Sequence, residues 1–210
     1  MSMRAKAKIL LATGVLPLAA TVMGEDFTNR VYVAADLGPA FQQNINISGG
    51  QEIDFNSGIR GDVSLGYRFK PWLAGEFAMG AIWNRVDTIG GVPMSSYGGS
   101  MDLYQIPLLG NVVLSAPEWH HFRPYVGGGI GCVLGKLDFN SPLGDIHDTD
   151  HTFAYQAFVG VNYQLSEHMT VGIGYKYLAT DNHAWTQNGI TLDTEGTMTH
   201  AVTCAVTWSF

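Results

Sequence analysis

The end of the chain constrains its fold more than any other feature. From Thr197 to Phe210, residues Met198, Val202, Cys204, Val206, Trp208 and Phe210 fall on one side, opposite Thr199, Ala201, Thr203, Ala205, Thr207 and Ser209. Successive side chains of an extended strand point to opposite faces, so a period of two means a strand with one apolar face. The apolar row continues to the final aromatic residue. A strand of this kind needs an apolar environment along its whole length on one side only.

Seven more segments carry the same period. Arg30–Pro39 sets Val31, Val33, Ala35 and Leu37 against Tyr32, Ala34 and Asp36, and Ile59–Lys70 sets Ile59, Val63, Leu65, Tyr67 and Phe69 against Arg60, Asp62, Ser64, Arg68 and Lys70. Trp72–Asn84 sets Leu73, Phe77, Met79 and Trp83 against Ala74, Glu76 and Asn84, and Tyr104–Ser115 sets Tyr104, Ile106, Leu108, Val112 and Leu114 against Gln105, Asn111 and Ser115. Phe122–Leu137 is rich in glycine, and Val126, Ile130, Cys132 and Leu134 are assigned to its outer face. Phe153–Leu165 sets Tyr155, Ala157, Val159, Val161 and Tyr163 outward, and Met169–Leu178 does the same with Val171, Ile173, Tyr175 and Tyr177. That makes eight strands. Gly is abundant at 26 residues and charged residues reach only 14%, which suits many short strands.

Alternation alone does not separate a soluble barrel from a membrane one. The connections do. Long polar segments follow the first, third, fifth and seventh strands: Ala40–Ser57, Arg85–Ser100, Asp138–Thr152 and Ala179–Gly196. Short ones follow the others, around Pro71, around Pro117–His121 and at Ser166–His168. Long outer loops and tight periplasmic turns in strict rotation are expected of an outer-membrane barrel. Two aromatic belts agree: Trp83, Tyr104, Tyr155 and Tyr177 lie near the loop ends, and Phe69, Trp72, Tyr163, Trp208 and Phe210 near the turn ends. The predicted fold is all-β, an eight-stranded antiparallel up-and-down transmembrane barrel. Only closure satisfies the backbone of a sheet in lipid.

The N-terminus fits export to that membrane. Arg4, Lys6 and Lys8 precede an apolar run from Ile9 to Val22, and small residues lead to Gly24 ahead of Glu25 and Asp26. This reads as a secretory signal peptide over residues 1–24, with the barrel from 25 to 210. The run is too short for a membrane helix, which needs about 20 residues. Without those three cations the chain keeps eight basic and 18 acidic residues, a net charge of −10. That balance argues against nucleic-acid binding.

Taken together, Tyr104-Gln-Ile-Pro-Leu-Leu-Gly, Arg123-Pro-Tyr-Val-Gly-Gly-Gly-Ile-Gly, Val171-Gly-Ile-Gly-Tyr-Lys-Tyr and the aromatic C-terminus resemble the small outer-membrane barrels of the OmpA, OmpX and opacity-protein type. The resemblance covers the whole mature chain. It implies insertion by the barrel-assembly machinery, which recognises a terminal strand such as the one carrying Val206, Trp208 and Phe210. It also implies contact with outer-membrane lipid and lipopolysaccharide. A peptidoglycan-binding domain after the barrel, as in full-length OmpA, is not expected, which puts a tether to the cell wall in doubt.

Eight strands enclose a lumen that side chains largely fill. The predicted inward charges are Asp36, Arg60, Asp62, Arg68, Glu76 and Lys176, with Arg68 and Glu76 diagonal neighbours across the Pro71 turn. Two readings follow: an ion-pair network that holds the lumen shut, or a polar path for small ions. The packing argument favours the first. Cys132 and Cys204 lie three strand spacings apart, about 14 Å, beyond the roughly 7 Å a disulfide tolerates. Two free thiols facing lipid are expected.

Candidate chemistry is sparse. Asp145, His147, Asp148, Asp150 and His151 could approach a divalent cation, but their spacing matches no defined site and fits a solvated acidic loop. Glu52, Asp54, Asp87, Asp181, Asp193 and Glu195 make the other loops acidic, and cations could bridge them to anionic lipopolysaccharide. Gly49–Gly50, Gly90–Gly91 and Gly98–Gly99 suggest mobile loops. Ser64 and Ser209 lack a histidine at alternate spacing, and His200, opposite Thr199, reads as a structural boundary residue. No catalytic, cofactor or metal site is assigned. The expectation is a non-enzymatic surface barrel displaying four loops for envelope integrity, adhesion or host contact. A narrow pore and a lipid-modifying enzyme are the alternatives.

Overall fold

A computed structural model describes residues 30–210, apart from 48–50, 94–95, 97–99, 141–145, 182, 188–189 and 195. The segment expected to be a signal peptide, residues 1–24, therefore lies outside the described residues. In chain order the strands are β1 (Val31–Gln42), β2 (Ile45–Ile47), β3 (Gln51–Phe55), β4 (Gly58–Lys70), β5 (Leu73–Ile89), β6 (Val92–Pro93), β7 (Ser100–Ser115), β8 (Phe122–Asn140), β9 (Ile146–Gln164), β10 (Met169–Thr180), β11 (His183–Gln187), β12 (Ile190–Thr194) and β13 (Met198–Ser209).

Eight of these close into an antiparallel ring in the order β1, β4, β5, β7, β8, β9, β10, β13 and back to β1. Val33 opposite Trp208 and Leu37 opposite Cys204 fix the register of the closing seam. The Phe210 amide, which donates to the Val31 carbonyl at 3.0 Å, locks its end. Each expected strand is present, and the outward rows are as read: Leu37, Val63, Phe77, Val112, Ile130, Val159, Ile173 and Val206 all lie exposed on the wall.

The glycine-rich β8 follows the same rule, with Val126, Ile130 and Leu134 outward and Val133 fully buried. Its inward glycines make room for neighbours in a narrow lumen. A Cβ on Gly127 would stand 2.3 Å from the Phe158 ring, and one on Gly66 of β4 would stand 2.2 Å from Tyr32.

The turn end is tight. Trp119 and Phe122 exchange both backbone hydrogen bonds at 2.9 Å around His120 and His121, whose φ values are 50° and 68°. Both central residues are left-handed, so this is the hairpin turn whose twist suits the flanking strands.

The outer end departs from the sequence reading. The four long segments are not mainly loops; strands continue through much of them. β5 runs to Ile89, β8 to Asn140, and β9 begins at Ile146, so little but residues 141–145 separates the last two. Outside lipid neither face meets hydrocarbon, so the alternation that marks a strand fades while backbone pairing persists. Gly90–Gly91 is likewise a two-residue turn, with φ of 58° and 76°, joining Ile89 to its partner Val92. Gly49–Gly50 and Gly98–Gly99 lie outside the described residues.

Candidate functional site

Two regions could carry function: the lumen and the outer strands. The lumen is layered. At its middle Lys176 on β10 reaches Asp36 on β1 at 2.6 Å and Asp62 on β4 at 2.7 Å. Asp62 also accepts from Arg60 Nε at 2.8 Å, and the other end of that guanidinium donates to Gln156 at 3.0 Å. Gln156 passes the chain on to Asn111 at 2.8 Å. All five expected inward charges on β1, β4 and β5, and Lys176 on β10, do point inward. Gly80 leaves the space for this knot, since a Cβ there would stand 1.8 Å from Asp62 Oδ1.

The expected pairing of Arg68 with Glu76 is organised around Tyr32. The Tyr32 hydroxyl donates to Glu76 at 2.6 Å, while the Arg68 guanidinium lies 4.3 Å from the same ring and donates to Ser209 Oγ at 2.9 Å. These residues line a polar cavity of about 290 Å³ that runs from the turn residues Pro71 and His121 up to Asp36 and Lys176.

On the outer side of the charged knot sits a layer that the sequence reading missed. Ala40, Ile82, Leu109, Val133, Ala154, Leu178 and Ala201 form one buried apolar cluster. One residue comes from each barrel strand except β4, where Arg60, paired with Ile82, occupies the level. Outward of it Gln42, Asn84, Gln105, Thr180, Thr197 and Thr199 are buried. Thr199 donates to Gln42 at 2.5 Å, and Gln105 to Thr197 at 3.3 Å. The signal was present as apolar neighbours at consecutive positions, Leu108–Leu109, Val133–Leu134 and Tyr177–Leu178, where both faces of a strand turn apolar at one level.

Above the rim the chain builds a second sheet in the order β11, β12, β2, β3, β5. β5 belongs to both sheets, and β3 joins it through Ile53–Ile89 and Asp54–Thr88. Two of the acidic residues expected in solvated loops are structural ties here. Asp54 accepts from Asn44 and from Thr88, each at 2.5 Å, and Asp87 accepts from Asn56 at 3.2 Å. The side chains of Asp145, His147, Asp148 and Asp150 lie outside what is described. Among the described residues no three His, Cys, Asp or Glu side chains gather as metal ligands.

His200 faces outward, bonded to the Tyr175 hydroxyl at 2.5 Å and to Gln43 at 3.0 Å, with Tyr177 5.2 Å away ring to ring. It belongs to the outer aromatic belt, as does the stacked Trp83–Tyr104 pair at 6.4 Å. Ser64 is buried in the lumen. Ser209 has a histidine neighbour after all, but His168 Nδ1 meets its backbone carbonyl at 3.1 Å while its hydroxyl faces Arg68. Cys132 and Cys204 are both free.

Comparison with known proteins accounts for this architecture. No curated protein matches the sequence. Among solved structures, the chain is similar to Neisserial surface protein A, with a TM-score of 0.57 at 18% identity over 86% of this chain and 97% of that one. It is similar to the outer membrane protein OprG from Pseudomonas aeruginosa, with a TM-score of 0.57 at 12% identity over 87% and 98%. The outer membrane protein AlkL, determined in lipid bilayers, gives 0.52 at 16% identity over 90% and 93%. At these identities the likeness shows the fold. Residues 9–210 match the family described as the outer membrane protein beta-barrel domain. With a closed eight-stranded ring whose outer wall carries rows of exposed apolar residues, the chain belongs to that family and is an integral protein of the outer membrane.

Proposed function

We propose that this protein is a non-enzymatic barrel with a sealed lumen, whose work is done by the strands and loops it holds outside the membrane. The observation that carries this reading is the stack of three layers across the lumen: the Lys176–Asp36–Asp62–Arg60 knot, the apolar cluster around Leu178, and the buried polar layer of Gln42, Gln105 and Thr199. A cation crossing the apolar layer would lose its water at a level whose one charged group, Arg60, repels it. The outer segments, in contrast, carry acidic residues such as Asp87 and Asp181 where a surface ligand or a cation-bridged lipopolysaccharide would meet them. Contribution to envelope integrity, adhesion or host contact follows from that placement. The closing strand, with Val206 and Trp208 outward, is the segment we assign to the barrel-assembly machinery.

The experiment sets two readouts side by side. Residues 141–145 are deleted, and adhesion and planar-bilayer conductance are measured on the same preparation. Loss of adhesion with no conductance in either form is expected. Steady nanosiemens steps from the unaltered barrel would overturn the sealed lumen in favour of the narrow pore.

A further inference from the structure

The lipid-facing wall carries a feature that neither the lumen nor the outer sheet uses. Near the turn end a hollow of about 480 Å³ lies on the outside of β4, β5 and β7, with an almost wholly apolar lining. Its floor is Gly75 and Gly110, diagonal neighbours because Gly75 pairs with Val112 and Phe77 with Gly110. Leu65, Phe69, Phe77 and Val112 form its rim. Phe69 leans over Gly75, where a Cβ would stand 3.1 Å from its ring, and Tyr67 holds it edge-on with ring centres 5.1 Å apart. Over Gly110 the space is open: the atom nearest to a Cβ there is the Ile130 carbonyl oxygen, 3.9 Å away.

Lys70 follows Phe69 of the rim in the chain and also borders the turn-end mouth of the lumen cavity. Lys70 is exposed at the end of β4, its Nζ 5.5 Å from the centre of the Trp72 ring at the boundary. The carboxylate on the neighbouring turn, Glu118, is engaged by Arg123 at 3.2 Å. We propose that the hollow seats one acyl chain of an inner-leaflet phospholipid, with Lys70 meeting its phosphate.

Three observations converge on that occupant. The hollow opens into hydrocarbon, where the matching group is an alkyl chain. It sits at the short-turn end, which faces the periplasm, so the lipid is that of the inner leaflet. The charge beside it is positive and at headgroup level, where a basic side chain attracts a lipid phosphate. A convex wall lets lipids exchange along it; a hollow adds methylene contacts on three sides. This inference rests on the membrane placement and not on the proposed surface role, so the two stand or fall separately.

Native mass spectrometry of the full barrel in mild detergent, titrated with phosphatidylethanolamine, tests it. Gly110→Leu fills the floor without backbone conflict. It should lower the bound fraction about tenfold, the effect of losing roughly two buried methylene groups. Lys70→Gln should lower it about fivefold. Migration of the unheated protein as a folded band shows that either variant is intact. Equal binding by Gly110→Leu and the unaltered chain overturns the proposal. So does a loss confined to Lys70→Gln, which would mean surface charge attraction with no seated chain.

Discussion

The two halves of the barrel wall differ in height. β5, β7, β8 and β9 are 17, 16, 19 and 19 residues long, while β1, β4, β10 and β13 are 12, 13, 12 and 12. A tilted strand crosses hydrocarbon in about 9–11 residues, so the short half is little more than membrane-spanning and the tall half projects well beyond it. Next to the tall half, the short strands β2, β3, β11 and β12 pair into a separate sheet joined through β5. Inside the membrane, each residue is fixed by which side meets lipid and which meets the lumen. Outside it, backbone pairing and polar ties such as those of Asp54 hold the same chain. The embedded part should therefore respond to substitution in kilocalories, and the projecting part hardly at all.

The largest effect is expected at the charged knot. Lys176→Met leaves Asp36 and Asp62 facing one another in the lumen with Arg60 as the remaining cation, and should cost about 4 kcal/mol. Urea unfolding in lipid vesicles measures it, and adding Asp36→Asn should restore part of the loss. An unchanged midpoint would mean that water, and not Lys176, compensates the carboxylates. Next comes the apolar layer. Leu178→Ala should cost about 3 kcal/mol, since Leu178 is 1% exposed and the space it leaves cannot collapse against a rigid sheet. The same variant sharpens the sealed-lumen reading, because it is also the one expected to raise conductance. A smaller effect of opposite sign is expected at the turn end. His120→Asn with His121→Gly replaces two strained left-handed residues and should raise stability by about 1 kcal/mol.

How much of this was legible follows the same division. All eight barrel strands, their outward rows and the pairing of the last strand with the first could be read from period two, because lipid on one side imposes it. The inward charges could be read too, as polar breaks in the row. Their partners could not, since Tyr32 standing between Arg68 and Glu76, or Gln156 bridging Arg60 to Asn111, depends on which strands face each other across the lumen. The apolar layer escaped the same pattern that found the strands: Ile82 and Leu178 point inward yet are apolar, so they belong to neither side of a one-sided alternation. Outside the membrane the one-sided solvent disappears, and with it the pattern. Asp54 looked like any acidic loop residue until β3 was placed beside β5.

Asp54 also gives the smallest and most discriminating prediction. It is half-buried between Asn44 and Thr88, and the two hydrogen bonds tie the link between β1 and β2 and the outer end of β5 to β3. Asp54→Ala removes two charge-assisted bonds, yet water reaches this site and re-solvates both donors. The loss should stay below about 1 kcal/mol and leave the urea midpoint of the barrel unmoved. Locally the result should be different. β3 is joined to β5 through a short run of backbone pairs and these ties, so its amides should exchange faster while those of β4 and β13 stay protected. If the midpoint fell as well, the outer sheet and the barrel would be one cooperative unit, and β5 would transmit stability across the membrane boundary. If neither changed, backbone pairing of β3 with β5 would suffice on its own, and the polar ties would serve only to set the register.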